Sequence, residues 1–328
     1  MSISIITPMY NEEINIKKCY NSLIKQTYKN FEWIIVDDGS SDKSIDIVND
    51  IIRYHSNEFT IKLTSQDNSG IYLSRKNALK LASYDYVIRL DADDSLSSNA
   101  LAEALGKVNN DVDFISFRSS LVYNDKKGNR QLKKVDRASN YILNSTGLDA
   151  FSHCIYGWGW SANGLVKKNT YLSAYNEVDK YLKGERVNYA DELVSRFIYL
   201  KSKNVCMCDG IYYYHDNPNS LTRSFDVKLC DKLRVALYLN NYISHNFNCK
   251  NLNYQSTKNL LRTFRTVYKK YSSWKNLLSP NDKKRWNKTL NEATEQINLN
   301  LSDLFKEKWQ EIRRMLVCYL ILLKYKRF

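Results

Sequence analysis

Residues 31–55, FEWIIVDDGSSDKSIDIVNDIIRYH, decide the fold class of this chain. FEWIIVDD (31–38) is a hydrophobic, β-branched run, a strand that stops at two aspartates. Gly39-Ser40-Ser41 turns the chain, and SIDIVNDIIRYH (44–55) then reads as a helix. The alternation continues on both sides. ISIITP (3–8) is a short strand ended by Pro8, and EEINIKKCYNSLIKQ (12–26) spaces Ile14, Ile16, Cys19, Leu23 and Ile24 helically behind an acidic first turn. FTIKLTSQ (59–66), GIYLSRKNALKLA (70–82) and YDYVIRLD (84–91) follow as strand, helix and strand. Strands alternating with helices of this length imply βαβ units and an α/β fold with a mostly parallel sheet. Function in such sheets collects at the carboxyl ends of the strands. Tyr10, Asp37, Asp38, Asp91 and Asp93 all fall there. No G-x-G-x-x-G follows the first strand, which argues against a dinucleotide oxidoreductase.

Composition sets the limits around this core. At 328 residues, 43% hydrophobic and 13% aromatic, the chain suits a large α/β domain plus an appended piece and is far from a disordered composition. The opening MSISIITPMY is a strand, not a signal peptide. The seven scattered cysteines are therefore expected as reduced thiols in a cytoplasmic protein. Cys206 and Cys208 have no second Cys/His pair at finger spacing, which disfavours structural zinc. The longest apolar run, MLVCYLILL, is too short to span a bilayer. Charge is uneven: from residue 250 onward 18 Lys and Arg stand against 6 Asp and Glu, a balance of +12 within a net +14. That asymmetry points to an anionic partner for the C-terminal quarter.

YVIRLDADDSLS (86–97) runs a strand into Asp91, Asp93 and Asp94. Like charges this close raise one another's pKa unless a cation lies between them. Either the turn is a solvated strand end with a cap at Asp94, or it holds a metal. Asp37 and Asp38 precede a glycine, which is ordinary turn chemistry. Asp191 and Glu192 open the apolar-periodic segment NYADELVSRFIYL, where a helix dipole favours carboxylates.

SIITPMYNEE, QTYKNFEWIIVDDGSSDKS and VIRLDADD together resemble a family 2 glycosyltransferase of the GT-A fold. The resemblance covers residues 2–125 well and continues more weakly through YADELVSRFIY and GIYYYHDNPNSLTR to about 223. It implies a Rossmann-like, mostly parallel sheet with flanking helices. The implied catalytic domain is 1–225, with a nucleotide-binding half (1–110) and an acceptor and catalytic half (111–225). A basic helical region, 226–328, follows. It implies a sugar nucleotide held by Pro8, Tyr10, Asp38, Asp67, Arg75, Asp91 and Asp93, with Asp38 accepting from the base and Tyr10 beside the base's face. An acidic acceptor suits the N3–H of uracil, so the implied donor is a UDP-sugar. Hard carboxylate oxygens select Mn²⁺ or Mg²⁺. Asp93 would be the direct ligand, Asp91 would lie nearer the ribose or a bridging water, and Asp94 is an accessory. His215 would be a further metal or diphosphate contact. Asp191 aligns with the catalytic base and Glu192 is its alternative. Trp158 and Trp160, in YGWGWSANG (156–164), resemble an acceptor-side loop.

Each position also has a plain structural reading: a surface charge for Arg75, loop solvation for Asp67, a helix cap for Asp191, a buried cluster for the tryptophans, a structural ring for His215. Two departures from the family pattern stand out, Ser74-Arg75-Lys76 and Ala190-Asp191-Glu192. The implied activity is inverting, metal-dependent transfer from a UDP-sugar to a hydroxyl of a glycan or lipid-linked glycan, as in capsule, lipopolysaccharide or O-antigen assembly. A polyprenyl-phosphate sugar transferase is the rival within enzymes. A nucleic-acid-binding protein would explain the basic tail but not aspartates at successive strand ends, so no nucleic acid is expected. Residues 226–328 read as helical, broken at Pro280. FKEKWQEIRRMLVCYLILLKYKRF (305–328) either lies on an anionic membrane surface at the inner face or packs through Leu316, Leu320 and Leu323.

Overall fold

The structure, a computed structural model, describes residues 1–55, 58–125, 127–135, 144–157, 161–216, 225–297 and 309–326. The chain divides into two compact units. The first comprises 1–151, 160–186 and 194–220, and the second 152–159, 187–193 and 221–328.

The first unit is built on one sheet. Its strands are β1 (Ile3–Met9), β2 (Phe31–Asp37), β3 (Thr60–Ser65), β4 (Tyr86–Arg89), β5 (Ser95–Leu96), β6 (Phe114–Asn124), β7 (Arg130–Lys134), β8 (Asn144–Thr146), β9 (Gly164–Lys167) and β10 (Asn204–His215). Their order is β3-β2-β1-β4-β9-β6-β10-β5, with β7 beside β6 and β8 beside β10. The four strands read from the N-terminal alternation, β3-β2-β1-β4, run parallel, as do β6 and β10. Between the two parallel parts β9 runs antiparallel to both β4 and β6.

Central strands buried on both faces need continuous apolar runs. ISIITPM and FEWIIVD supply them, and every residue of β1 and β2 is buried. The edge strand β3 is TIKLTS, partly or fully exposed throughout. Helices α1 (Ile16–Ile24), α2 (Ser44–His55), α3 (Ile71–Leu81), α4 (Ala100–Leu105), α5 (Gly147–Cys154), α6 (Lys168–Leu182) and α7 (Ala190–Lys201) connect the strands. In α1 the buried residues Ile16, Cys19, Tyr20 and Leu23 share one face and join Trp33, Ile35, Ile88 and Phe117 in the core. This helix starts four residues later than its acidic beginning suggested. Glu12 turns the chain instead: its carbonyl accepts from the backbone N–H of Asn15 and of Ile16, both at 2.9 Å, and its carboxylate accepts from Asn15 Nδ2 at 2.8 Å.

In the second unit α8 (Cys230–Asn246), α9 (Lys250–Trp274), α10 (Pro280–Gln296) and α11 (Trp309–Lys326) bury their own core, with Leu233, Leu260, Phe264, Trp286 and Leu290 at its centre. Pro280 separates α9 from α10 by starting the latter. It sits in the first turn, where no N–H is needed, and Ser279 Oγ accepts from the Asp282 N–H at 3.1 Å. In α11 the packed face is Met315, Cys318 and Leu322. Of Leu316, Leu320 and Leu323, named for the packing alternative, Leu316 packs against this core, while Leu320 and Leu323 are 63% and 38% exposed on another side of the helix. Cys249 is exposed and the other six cysteines are buried, all as free thiols.

Candidate active site

In the first unit the loops that leave the carboxyl ends of β1, β2, β3 and β4 are tied to one another. Pairing of β1 with β2 sets Met9 opposite Asp37, and the Asp38 N–H donates to the Met9 carbonyl at 2.8 Å. Pro8 is buried within β1. Asn11 takes a left-handed φ of 54°, its Oδ1 accepts from the Ser41 N–H at 2.8 Å, and its N–H donates to Ser40 Oγ at 2.9 Å. Tyr10 therefore stands on a fixed loop with half of its surface, 50%, open.

The two adjacent aspartates divide their work. Asp37 is fully buried, and its Oδ2 accepts from the Gly39 and Ser40 N–H groups at 3.2 Å each, so it caps the turn. Asp38 reaches the 66–70 loop. Its Oδ1 accepts from Gln66 Nε2 and the Ser69 N–H, and its Oδ2 from the Gly70 N–H, all at 2.8 Å. Three of the roughly four acceptor positions of a carboxylate are thus in use. Gly70 has φ 88°, and a Cβ there would meet Arg186 Nη2 at 2.9 Å, so this turn into α3 requires glycine. Asp67 is exposed on the same loop.

One turn into α3, Arg75 is buried and donates from Nη2 to both oxygens of Asp91, at 2.7 and 2.9 Å. Arg89 Nε lies 4.0 Å from the same carboxylate. Burial pushes the Asp91 carboxyl up, but the two guanidinium charges prevail and hold it below its ordinary value. Tyr212 of β10 then links the aspartates: its hydroxyl accepts from the Asp91 N–H at 3.1 Å and donates to Asp94 Oδ2 at 2.8 Å. The His215 N–H donates to Asp94 Oδ1 at 3.1 Å. Burial, with the charges of Asp93 and Asp91, pushes the Asp94 carboxyl well up. Asp94 is a pin between the turn and β10.

Asp93 is half-buried in that turn. Its charge acts on Glu12, whose carboxyl is raised to about 7, first by burial and then by Asp93. His215 Nε2 lies 2.8 Å from Ser95 Oγ. Burial, then the charges of Lys18 and Arg130, lower the ring to about 4, so the imidazole is neutral at neutral pH.

Among the described residues no cluster of three or more His, Cys, Asp or Glu is spaced to hold a metal. Asp91 pairs with Arg75 and Asp94 with Tyr212; half-buried Asp93 adds a hard carboxylate to the same turn, and neutral His215 adds an imidazole in the same unit. Mg²⁺ and Mn²⁺ bind with one or two protein carboxylates when substrate phosphates complete their coordination. The residues fit an ion of that kind.

Asp191 and Glu192 belong to the second unit and open α7 half-buried. The turn before them is clamped. Tyr189 has φ 67°, its hydroxyl donates to Asp226 Oδ2 at 3.0 Å, and the Asn188 N–H donates to Asp231 Oδ2 at 3.0 Å. Asp231 is fully buried and pairs with Arg234 at 3.4 Å and with Arg285. Trp158 and Trp160 lie outside the described residues. Glu12, Gln66, Tyr212 and Asp231 escaped the sequence reading. The strand-like aromatic run IYYYH was the available sign for Tyr212; Asp231 gave none.

Residues 4–160 match the family described as glycosyl transferase family 2. The uncharacterized glycosyltransferase EpsJ of Bacillus subtilis (strain 168) is 29% identical over 231 residues, 67% of this chain and 62% of that protein. Glycosyltransferase GlyG of Streptococcus pneumoniae serotype 4 is 27% identical over 238 residues, 69% of this chain and 74% of that protein. The chain thus spans less than two thirds of EpsJ. The crystal structure of S. aureus TarS 1–349 in complex with UDP-GlcNAc superimposes with a TM-score of 0.65 at 19% identity, covering 91% of this chain and 82% of that one. Sheet order, the aspartates at strand ends and the match over 4–160 agree: residues 4–160 form a glycosyl transferase family 2 segment, and the chain carries a GT-A fold.

Proposed function

We propose that this chain is an inverting, metal-dependent glycosyltransferase that moves a sugar from a UDP-sugar to a hydroxyl of a glycan or lipid-linked glycan. The observation that carries the reading is the turn at the end of β4, where Arg75 neutralises Asp91 and Asp93 follows two residues on. The solved TarS complex, which contains UDP-GlcNAc, supports a nucleotide-sugar donor. Tyr10 offers an open aromatic face for the base, and Asp38 retains one acceptor position for the uracil N3–H. Asp93 and His215 would hold Mn²⁺ or Mg²⁺, which supplies positive charge to the departing diphosphate. Asp191 takes the proton from the acceptor hydroxyl as its oxygen bonds to the anomeric carbon. The bond from that carbon to the diphosphate breaks, and UDP leaves with the electron pair. Opposite-face attack inverts the anomeric centre.

The same reading extends to the setting. Among the described residues no helix is long and apolar enough to cross a membrane. The exposed Val317, Leu320 and Leu323 of α11, next to Lys324, suit contact with an anionic leaflet on the cytoplasmic side, beside a lipid-linked acceptor of capsule or lipopolysaccharide assembly. A panel of sugar nucleotides, assayed for hydrolysis and binding with Mn²⁺ and with chelator, tests the donor and the metal together. UDP-sugar turnover lost in chelator supports the reading, and turnover of GDP- or CMP-sugars alone overturns the donor.

A further inference from the structure

A cleft of about 800 Å³ opens in the first unit between α1, β5, the β6–β7 hairpin and the end of β10. One wall carries Lys18 and Lys25, seven residues apart and thus on one side of α1, with Asn21 and Ser22 between them. Arg130 of β7 is the third cation. Among the described residues none of these three makes an ion pair or a side-chain hydrogen bond, although the Lys29, Lys62, Arg118 and Lys203 side chains do. Asp216 is the one carboxylate in the lining. The hydroxyls of Ser95 and Ser98 add neutral donors. Three cations held toward one concave space focus a positive potential there, and such a field selects anions. Lysine binds phosphate as a point charge and arginine binds it through a planar fork, so the set suits a tetrahedral oxyanion bearing more than one negative charge.

The cleft also has a direction. His215 and Ser95 line it, and Ser95 follows Asp93 and Asp94 immediately in the chain, so one end abuts the aspartate turn. None of Pro8, Tyr10, Asp38, Asp67, Arg75, Asp91 or Asp93, the residues assigned to the sugar nucleotide, contributes to the lining. A ligand here would meet the reacting end of the donor without competing for the base.

We propose that this cleft is a phosphate-binding subsite that takes a phosphate or phosphodiester carried by the acceptor. The proposal rests on the glycosyltransferase reading for the word acceptor, and on Lys18, Lys25 and Arg130 for the phosphate. Two sources share this chemistry, a phosphodiester-linked glycan and the diphosphate head of a lipid-linked one.

The test is calorimetric titration of the full chain, with UDP and Mn²⁺ already saturating, against two probes: an oligo(glycerol phosphate) and decyl diphosphate below its micellar concentration. At least one probe should bind. The Lys25→Gln/Arg130→Gln double variant, at two exposed positions, should weaken it by about tenfold or more, the loss expected from charge-assisted contacts. UDP affinity, measured separately, should stay unchanged and so reports an intact fold. Binding of the oligomer alone assigns the subsite to a glycan, and of the diphosphate alone to a lipid head; either supports it. No binding of either probe, equal affinity in parent and variant, or binding seen only when UDP is omitted overturns the proposal. Phosphate binding in a protein that turns over no sugar nucleotide would sink the proposed reaction and leave the anion site standing. UDP-sugar turnover without phosphate binding would do the reverse.

Discussion

Arg75 donates from one nitrogen to both carboxylate oxygens of Asp91, a pairing that joins the middle of α3 to the end of β4. Arg75 is 4% exposed at its side chain and Asp91 22%, so solvent screens the pair little. Arg75→Ala strands a carboxylate between Arg89 and a buried backbone. Breaking one side of such a buried pair costs about 3 kcal/mol or more. Urea denaturation should show that loss, and UDP-sugar binding should weaken with it. Arg75→Lys, which keeps the charge without the planar fork, should recover part of both. An alanine variant as stable as the parent would mean that Asp91 is protonated rather than paired.

Asp93→Asn isolates the metal from the fold. Asp93 belongs to a turn whose shape is set by Asp94, Tyr212 and the His215 N–H, all of which stay in place. Melting should therefore change little, while Mn²⁺-dependent UDP-sugar hydrolysis disappears. Hydrolysis by the variant that still responds to Mn²⁺ would move the metal to other ligands.

The N-terminal half was legible because βαβ alternation and strand-end aspartates are local features of the chain. The parallel strands β1 to β4 follow from apolar runs and turns that lie next to one another in sequence. What each aspartate does was less legible. Asp37, Asp38, Asp91 and Asp94 look alike in one dimension, yet one caps a turn, one fixes a loop, one pairs with arginine and one anchors β10. Asp37 finds its partners within its own turn, but the side-chain partners of Asp38, Asp91 and Asp94 lie 16 to 121 residues away, and no local pattern encodes them. The antiparallel β9 between two parallel groups was hidden for the same reason. For α11 the sequence left membrane contact and packing through Leu316, Leu320 and Leu323 both open, because the helix is apolar on two faces and spacing alone does not say which face is covered.

Asp231 holds the backbone just before Asp191, through the Asn188 N–H, and is itself fixed by Arg234 and Arg285. If Asp191 is the general base, Asp191→Asn should lower transfer by roughly 10²-fold with UDP-sugar affinity unchanged. Asp231→Asn should lower kcat in the same direction but less, with the KM for donor unchanged, because it loosens the turn without removing the base. Steady-state kinetics separates these cases. Normal kcat in Asp231→Asn with only a lower Tm would make the buried ion pair purely structural.

Glu12 gives a pH dependence with a defined sign. Its carboxyl ionises at about 7 in the folded chain against an ordinary 4.5, chiefly because it is buried. Between those values the unfolded chain is ionised at Glu12 and the folded chain is not, so folding takes up a proton. The resulting stabilisation is complete below pH 4.5 and is lost as pH rises through about 7. Glu12→Gln removes that term. The parent's Tm should fall relative to the variant's between pH 5 and pH 8, a window set by these same two values. A constant difference across that range would show that Glu12 is ionised throughout.

The two-faced helix α11 supplies the last prediction. Met315, Cys318 and Leu322 are buried in the core of the second unit, while Val317, Leu320 and Leu323 face outward beside Lys324. A helix with only one apolar face would have exhausted it on the core; this one keeps a second face for a surface. Basic residues near an anionic leaflet contribute on the order of 1 kcal/mol each, and apolar side chains entering the interface add to that. The parent should therefore sediment with phosphatidylglycerol-rich vesicles at low salt and come off as salt screens the attraction. Leu320→Asp/Leu323→Asp should not sediment, yet should fold and hydrolyse UDP-sugar as the parent does, because neither side chain is in the core. Equal sedimentation of parent and variant would exclude this face as the contact. An unfolded variant would show instead that Leu320 and Leu323 are covered in solution.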